Sequence, residues 1–243
     1  MKNLILICLA AILIVSCNSN LTDPQKIIDK AIAASGGDKY LNATIEFDFR
    51  DRHYVSTRKG GLYTYERITK DAANTTHDFL SNDGFKREIN GTVVEVIDSM
   101  KVKYTSSVNS VIYFALLPYG LNDASVRKKF LGETQLEGKE QYVVEISFGE
   151  EGGGEDFEDV FIYWINKKDF VIDYLAYSFD EGKGLEYRFR KAYNPRKVNG
   201  IMFFDYINYQ PTTDTKITGL EELFKEGKLK ELSKIELLNI KVK

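Results

Sequence analysis

Side chains that could do acid–base or metal chemistry are few and scattered in this sequence. His53 and His77 are its two histidines, 24 positions apart, each within a strand-like run. An imidazole can act as a base or bind a metal beside carboxylates. Their spacing forms no metal motif, so surface or rim positions are expected. Among 36 acidic residues, Asp173 in "FVIDYLAYSF" and Asp205 in "MFFDYINY" stand in apolar runs. Partial burial and tyrosine contacts would raise their pKa values. A structural role is expected for both, and a general acid or base near a histidine is the alternative. In "SFGEEGGGEDFEDVF", at 147–161, six carboxylates surround three glycines. Glu150, Glu151, Glu155, Asp156, Glu158 and Asp159 are hard oxygen donors that suit calcium, but their spacing is not that of an EF-hand loop. Strand-like runs on both sides make an acidic hairpin the expected reading. No Gly-x-Ser-x-Gly elbow, phosphate loop or dinucleotide fingerprint occurs. The expectation is therefore no catalytic residue, no cofactor and no metal.

The remaining reactive side chain is Cys17. It follows Lys2, an apolar run over 4–15, and the small residue Ser16. The run is shorter than the ~20 residues a membrane-spanning helix needs, and it has the form of a signal-peptide core. "IVSC" resembles the bacterial lipobox, which implies cleavage after residue 16 and acylation of the Cys17 thiol. Each buried lipid methylene adds ~0.8 kcal/mol of membrane affinity. Cys8 leaves with the signal segment, so the folded part has no free thiol, disulfide or thiolate metal site. Loss of Lys2 takes the formal charge from −3 to −4, which argues against nucleic-acid binding. Asn18 is not the inner-membrane retention aspartate of enterobacteria, and no acidic surface-export tag follows the cysteine. The expected location is the periplasmic face of the outer membrane. The expected division is a signal peptide over 1–16, a lipidated cysteine and tether over 17–21, and a single domain over 22–243.

"TDPQKIIDKAIAASGG" is punctuated as a helix, with Thr22 or Asp23 as cap, Pro24 in the first turn and Gly36-Gly37 as stop. After Thr44 the period falls to two, as in "TIEFDFRD" and "GLEYRFRKAY". Asn90-Gly91 and Glu137-Gly138 mark hairpins. Roughly eleven antiparallel strands are expected, ending in "SKIELLNIKVK". "SSVNSVIYFALLPYGLND" reads as a buried helix capped at Ser106 or Ser107, and "TGLEELFKEGKLKEL" as an amphipathic one broken at Gly227. The fold class is mainly β: one curved antiparallel sheet forming a half-open barrel, with an N-terminal helix and one or two plug helices. Fifteen tyrosines, fifteen phenylalanines and one tryptophan suit an apolar interior with phenols at its rim.

This plan resembles the LolA/LolB class of periplasmic lipoprotein carriers and receptors. "RKKFLGE", "GEEGGGEDFEDVFIYWINKKDFVIDYLAYSF" and "YRFRKAYNPRKVNGIMFFDYINY" resemble an uncharacterised family of lipoproteins from flavobacteria and relatives, some labelled deoxyribose-phosphate aldolase. The aldolase would need a (β/α)₈ barrel and a buried Schiff-base lysine. The residues over 126–210 show no long helical period, and Lys167, Lys168, Lys183, Lys191 and Lys197 have turn or edge surroundings. The carrier likeness implies an apolar ligand, such as a lipid or a lipoprotein's acyl chain, held by a monomer that is not an enzyme. Strand parity assigns Phe114, Leu117, Trp164, Tyr187, Phe189, Phe203 and Ile207 to the cavity wall. The alternatives are a packed structural module of the envelope, or a hydrolase using Asp173 or Asp205.

Overall fold

Helix α1 (Pro24–Ser35) starts where Asp23 accepts hydrogen bonds from the Gln25 and Lys26 amides, and Gly36 ends it with φ 146°. The computed structural model describes residues 21–149, 159–180 and 184–243. Cys17, the signal segment and most of the acidic run lie outside the described residues. Ile27, Ile28 and Ala31 on one side of α1 are fully buried. Full burial of each isoleucine contributes about 1.5–3 kcal/mol, which holds α1 on the sheet beneath it.

The chain then forms β1 (Thr44–Phe49), β2 (Arg52–Lys59), β3 (Leu62–Lys70), β4 (Thr75–Ser81), β5 (Gly84–Ile89) and β6 (Thr92–Val94). Helix α2 (Asp98–Ala115) follows. Next come β7 (Val126–Leu136), β8 (Lys139–Phe148), β9 (Phe161–Asn166), β10 (Ile172–Asp180), β11 (Leu185–Val198) and β12 (Ile201–Pro211). A short α3 (Leu220–Lys225) precedes β13 (Leu229–Ile235) and β14 (Leu238–Val242). The fold is mainly β, with antiparallel neighbours throughout the described strands.

Two seven-stranded sheets stand in place of the single sheet expected, and neither closes into a barrel. Their orders are β14-β1-β2-β3-β4-β5-β6 and β13-β12-β11-β10-β9-β8-β7. The break falls at residues 236–237, between β13 and β14. There the Leu237 amide donates to the Asp205 carboxylate at 2.9 Å, and its carbonyl accepts from Arg196 at 3.2 Å. Side chains take over the backbone groups that a ladder would otherwise pair. The hairpin turns match expectation: Asn90-Gly91 and Glu137-Gly138 all have positive φ, the primed-turn geometry that follows strand twist.

Helix α2 begins at Asp98, earlier than the serine caps suggested, so Ser106 and Ser107 are interior. Ser107 instead accepts from Arg67 at 2.7 Å. Val108 and Ile112 pack with Phe47, Tyr54, Tyr65 and Leu80 on the inner face of the first sheet. Helix α1 and the end of α2 cover the inner face of the second sheet, with Leu117, Val144, Ile146, Tyr163 and Leu175 in that core. The second sheet is also covered outside: Leu220 and Phe224 of α3 pack with Val143, Ile162, Trp164, Tyr174 and Phe189. The amphipathic segment predicted as one helix is helical only through Lys225; Gly227 turns at φ 68° and the rest is β13.

Candidate functional site

A groove of about 970 Å³ runs beside α2, between the helix and the second sheet. The helix contributes Lys101, Thr105, Asn109, Ser110, Tyr113 and Phe114. Phe148 of β8, Phe161 of β9, Tyr177 and Phe179 of β10, and Phe204 and Tyr206 of β12 form the opposite wall. Phe49 and Phe85 come from the first sheet, and Ile235 and Leu237 flank the break between sheets. Ten of the lining side chains are aromatic. The rings meet edge-on, tilted or stacked, with Phe114 at 5.2 Å from Tyr177, Tyr113 at 5.9 Å from Phe161, and Phe161 stacked on Tyr177 at 5.7 Å. Such offset contacts favour a stiff wall over a collapsible one. Tyr113 and Tyr163 share a hydrogen bond of 2.9 Å between their hydroxyls. Burial pushes the Tyr206 phenol up to about 12, against the opposing pull of the Arg190 cation, so it stays neutral at physiological pH.

Polar side chains also enter the groove. Strand β11 turns Glu186, Arg188 and Arg190 into it, and its apolar alternates Tyr187 and Phe189 pack outside. Arg188 is neutralised by Glu186 at 2.9 Å and lies over the Phe179 ring. Arg190 is 8 % exposed. Its guanidinium lies 3.9 Å from the Phe114 ring centre and donates to the Tyr177 hydroxyl at 2.7 Å.

Of the seven residues expected along the cavity, Phe114 alone lines this groove. Leu117 is buried in the core under α1. Trp164 and Phe189 are buried on the outer face of the second sheet, with Tyr187 packed against them. Phe203 is buried in the core of the first sheet. Ile207 is half-buried, pairing in register with Lys191 and Lys234, away from the groove lining. The reason is the double cover of the second sheet. Alternation groups residues by face, but α3 makes the apolar face of β11 the outer one.

The acid–base candidates have structural partners. His53 and His77 lie on the outer face of the first sheet, paired with Asp48 at 2.6 Å and Glu66 at 2.7 Å. Asp173 and Asp205 belong to the second sheet. Asp173 accepts from Gln141 and Asn166 at 2.9 and 2.8 Å. Asp205 accepts from both Arg196 Nη atoms at 2.7 Å and from Asn194 at 2.7 Å. Asp173 also pairs with Lys139 at 3.3 Å, so the partners of the two are amides, a lysine and an arginine where tyrosines were expected. Burial pushes the Asp205 carboxyl up, but the Arg196, Leu237 and Asn194 hydrogen bonds outweigh it and leave it below the usual carboxylate range. The expected upward shift is thus reversed. Among the described residues no group of three histidine or acidic side chains could hold a metal. Lys167 and Lys191 are in ion pairs with Glu133 and Glu137, at 2.8 and 2.6 Å.

One cluster gave no sequence signal. Asp78, 2 % exposed, is held by Arg67 and Arg87, each with a contact of 2.6 Å. Arg67 reaches Ser107, and Arg87 stacks on Tyr104, so the cluster ties α2 to the first sheet. The three sit opposite one another in register on the inner face of the first sheet.

A family model described as "Family of unknown function (DUF6503)" matches residues 2–237. No curated protein matches the sequence significantly. Among solved structures, the chain is similar to a DUF1329 family protein from Desulfovibrio piger, with 14 % identity, 90 % of this chain and 93 % of that one covered, and a TM-score of 0.43. It is also similar to a LolA superfamily protein from Nitrosomonas europaea, with 10 % identity, 90 % and 91 % coverage, and a TM-score of 0.46.

Proposed function

This chain belongs to the DUF6503 family, and we propose that it is an envelope lipoprotein that binds an apolar ligand in the groove beside α2. In this reading Cys17 carries the lipid anchor and the domain faces the periplasm from the outer membrane. The observation that supports binding is the groove itself. Its volume of about 970 Å³ is at the upper end of the ~300–1,000 Å³ typical of ligand pockets. Ten rings and several aliphatic side chains, held by the cores of both sheets, make up the apolar part of its walls. A ligand that buries ~12 methylenes gains about 10 kcal/mol at ~0.8 kcal/mol each. Association costs of at least ~4 kcal/mol leave at most about 6 kcal/mol, a dissociation constant of tens of micromolar. Burial of a single acyl chain is therefore enough for measurable binding. A packed structural module would have no such volume beside its plug helix.

The chain from residue 18 onward retains every described element, so it is the form to test. Native mass spectrometry and lipid extraction of this form, purified from the periplasm, should show a bound lipid. A neutral apolar dye such as N-phenyl-1-naphthylamine should bind to the delipidated protein with about one site per chain. An empty protein that also fails to bind the dye would sink the reading.

A further inference from the structure

Arg190 is a groove cation without a carboxylate ion-pair partner among the described residues. It is more than nine-tenths buried on β11, between β10 and β12. Among the described residues it makes no ion pair, and its one hydrogen bond to a side chain is to the Tyr177 hydroxyl. Its Nε–H is buried without a partner. Across the ladder from it, Asn208 has a buried Oδ1 that is also unpartnered. Of the carboxylates nearest to it in the sheet, Glu186 is engaged by Arg188, and Asp205 by Arg196; Asp159 and Asp180 also line the groove, and neither is within ion-pair distance of Arg190. An unpaired buried cation is costly, and a buried polar atom without a partner calls for one. The rings of Phe114 and Tyr177 offset part of the cost through cation–π contact. They leave its Nε–H without an acceptor.

We propose that Arg190 seats the carboxylate of a long-chain fatty acid whose alkyl chain lies along the aromatic groove. This rests on the groove-binding reading above and narrows it from any apolar ligand to a singly charged, anionic one. A guanidinium fork matches the two oxygens of a carboxylate, and one uncompensated positive charge balances one negative charge. The neutral Tyr206 phenol lies close enough to feel the Arg190 cation, so the head group meets no opposing charge from that side. Phe114 stacked on the guanidinium keeps its plane fixed, so the fork is formed before the ligand arrives. A neutral lipid of equal chain length would fill the same volume but leave Arg190 unpaired.

The test compares ligands of one chain length by displacement of N-phenyl-1-naphthylamine: palmitic acid, hexadecanol and hexadecyl phosphate, at a pH where the acid is ionised. Palmitate should bind at least about tenfold more tightly than hexadecanol, the gain expected of a charge-assisted hydrogen bond freed from water. Arg190→Met should erase that preference, so that palmitate and hexadecanol bind with equal affinity. Arg190→Lys should keep part of it. Equal affinity of the wild type for acid and alcohol would overturn the carboxylate seat, with the groove still binding. It would mean that Asn208 or water satisfies Arg190. Tighter binding of hexadecyl phosphate than of palmitate would also overturn it. Failure of all three ligands to displace the dye, or of the dye to bind, would instead remove the groove reading. If Arg190→Met does not fold, the wild-type comparison of acid with alcohol decides alone.

Discussion

Replacing Asp205 by asparagine should cost this protein much of its stability, because that carboxylate closes the seam between the two sheets. Asp205 is 3 % exposed and accepts from Arg196, Asn194 and the Leu237 amide. Asparagine keeps the shape but loses the charge. One of its two positions becomes an N–H₂ that faces the donors of Arg196 or Asn194. Breaking one side of a buried pair costs ~3–5 kcal/mol, and here the remaining charge, Arg196, keeps a quarter of its side chain in solvent. The variant can still accept from the Leu237 amide, so the lower end, about 3 kcal/mol, is expected. That is a large share of a typical stability of ~5–15 kcal/mol. At ~2–4 °C per kcal/mol for a chain of this size, the thermal midpoint should fall by about 6–12 °C. Urea unfolding with an unchanged slope would give the free energy directly. The pH dependence has a defined sign. A carboxyl whose folded pKa lies below its unfolded value of ~3.9 contributes stability that is complete above that value. The contribution is lost as pH falls through the folded pKa. Wild type should therefore lose stability below about pH 4 through a component that Asp205→Asn lacks. Pairing the variant with Arg196→Met should recover at least about 1 kcal/mol, because the orphaned guanidinium is gone. A loss within ~0.5 kcal/mol of wild type, in the range of ordinary surface changes, would refute the idea that this clamp holds the seam. Ile235 and Leu237 line the groove beside the seam, so dye affinity should fall with it.

Other substitutions separate the core from the groove. Trp164→Phe removes the indole hydrogen bond to Glu221, 2.8 Å long under α3; unfolding experiments should show a loss of about 1–2 kcal/mol. Dye binding in the groove should not change, since Trp164 is on the opposite face of the sheet. Ser107→Ala leaves Arg67 short of one acceptor and should cost about 1.5–3 kcal/mol in denaturant titration. Hydrogen exchange should rise first in α2, the element that loses its tie. Gly36→Ala puts a methyl group 3.0 Å from the Tyr40 ring and 3.3 Å from the Ile201 backbone, at φ 146°. Strain of about 1–3 kcal/mol is expected, measurable as a lower thermal midpoint by circular dichroism.

Much of the local plan was legible because local chemistry sets it. Asp23, Pro24 and Gly36 bound α1 as their types require, and Asn90-Gly91 and Glu137-Gly138 turn their hairpins through positive φ. In β1, Ile45 and Phe47 alternate with Glu46 and Asp48, and this apolar pair does face the core. The start of α2 was not legible, because "DSMKVKYT" is polar and its N-cap, Ile97, makes no side-chain capping bond. The buried charges on the first sheet were equally silent. Arg67, Asp78 and Arg87 come from three strands, and only register brings them together.

By itself the sequence determined the antiparallel strands, their turns and which side chains share a face. The tertiary structure decided which face is inside. On β11 the pattern Leu185, Tyr187, Phe189 against Glu186, Arg188, Arg190 is plain, and it suggests charges outside. Helix α3, some thirty positions further on, covers Phe189 and Tyr187 and leaves the charged set facing the groove. A strand's period of two carries no sign, so an apolar face points inward only where nothing else can cover it. Here something else does, and an arginine is left at the centre of an aromatic groove.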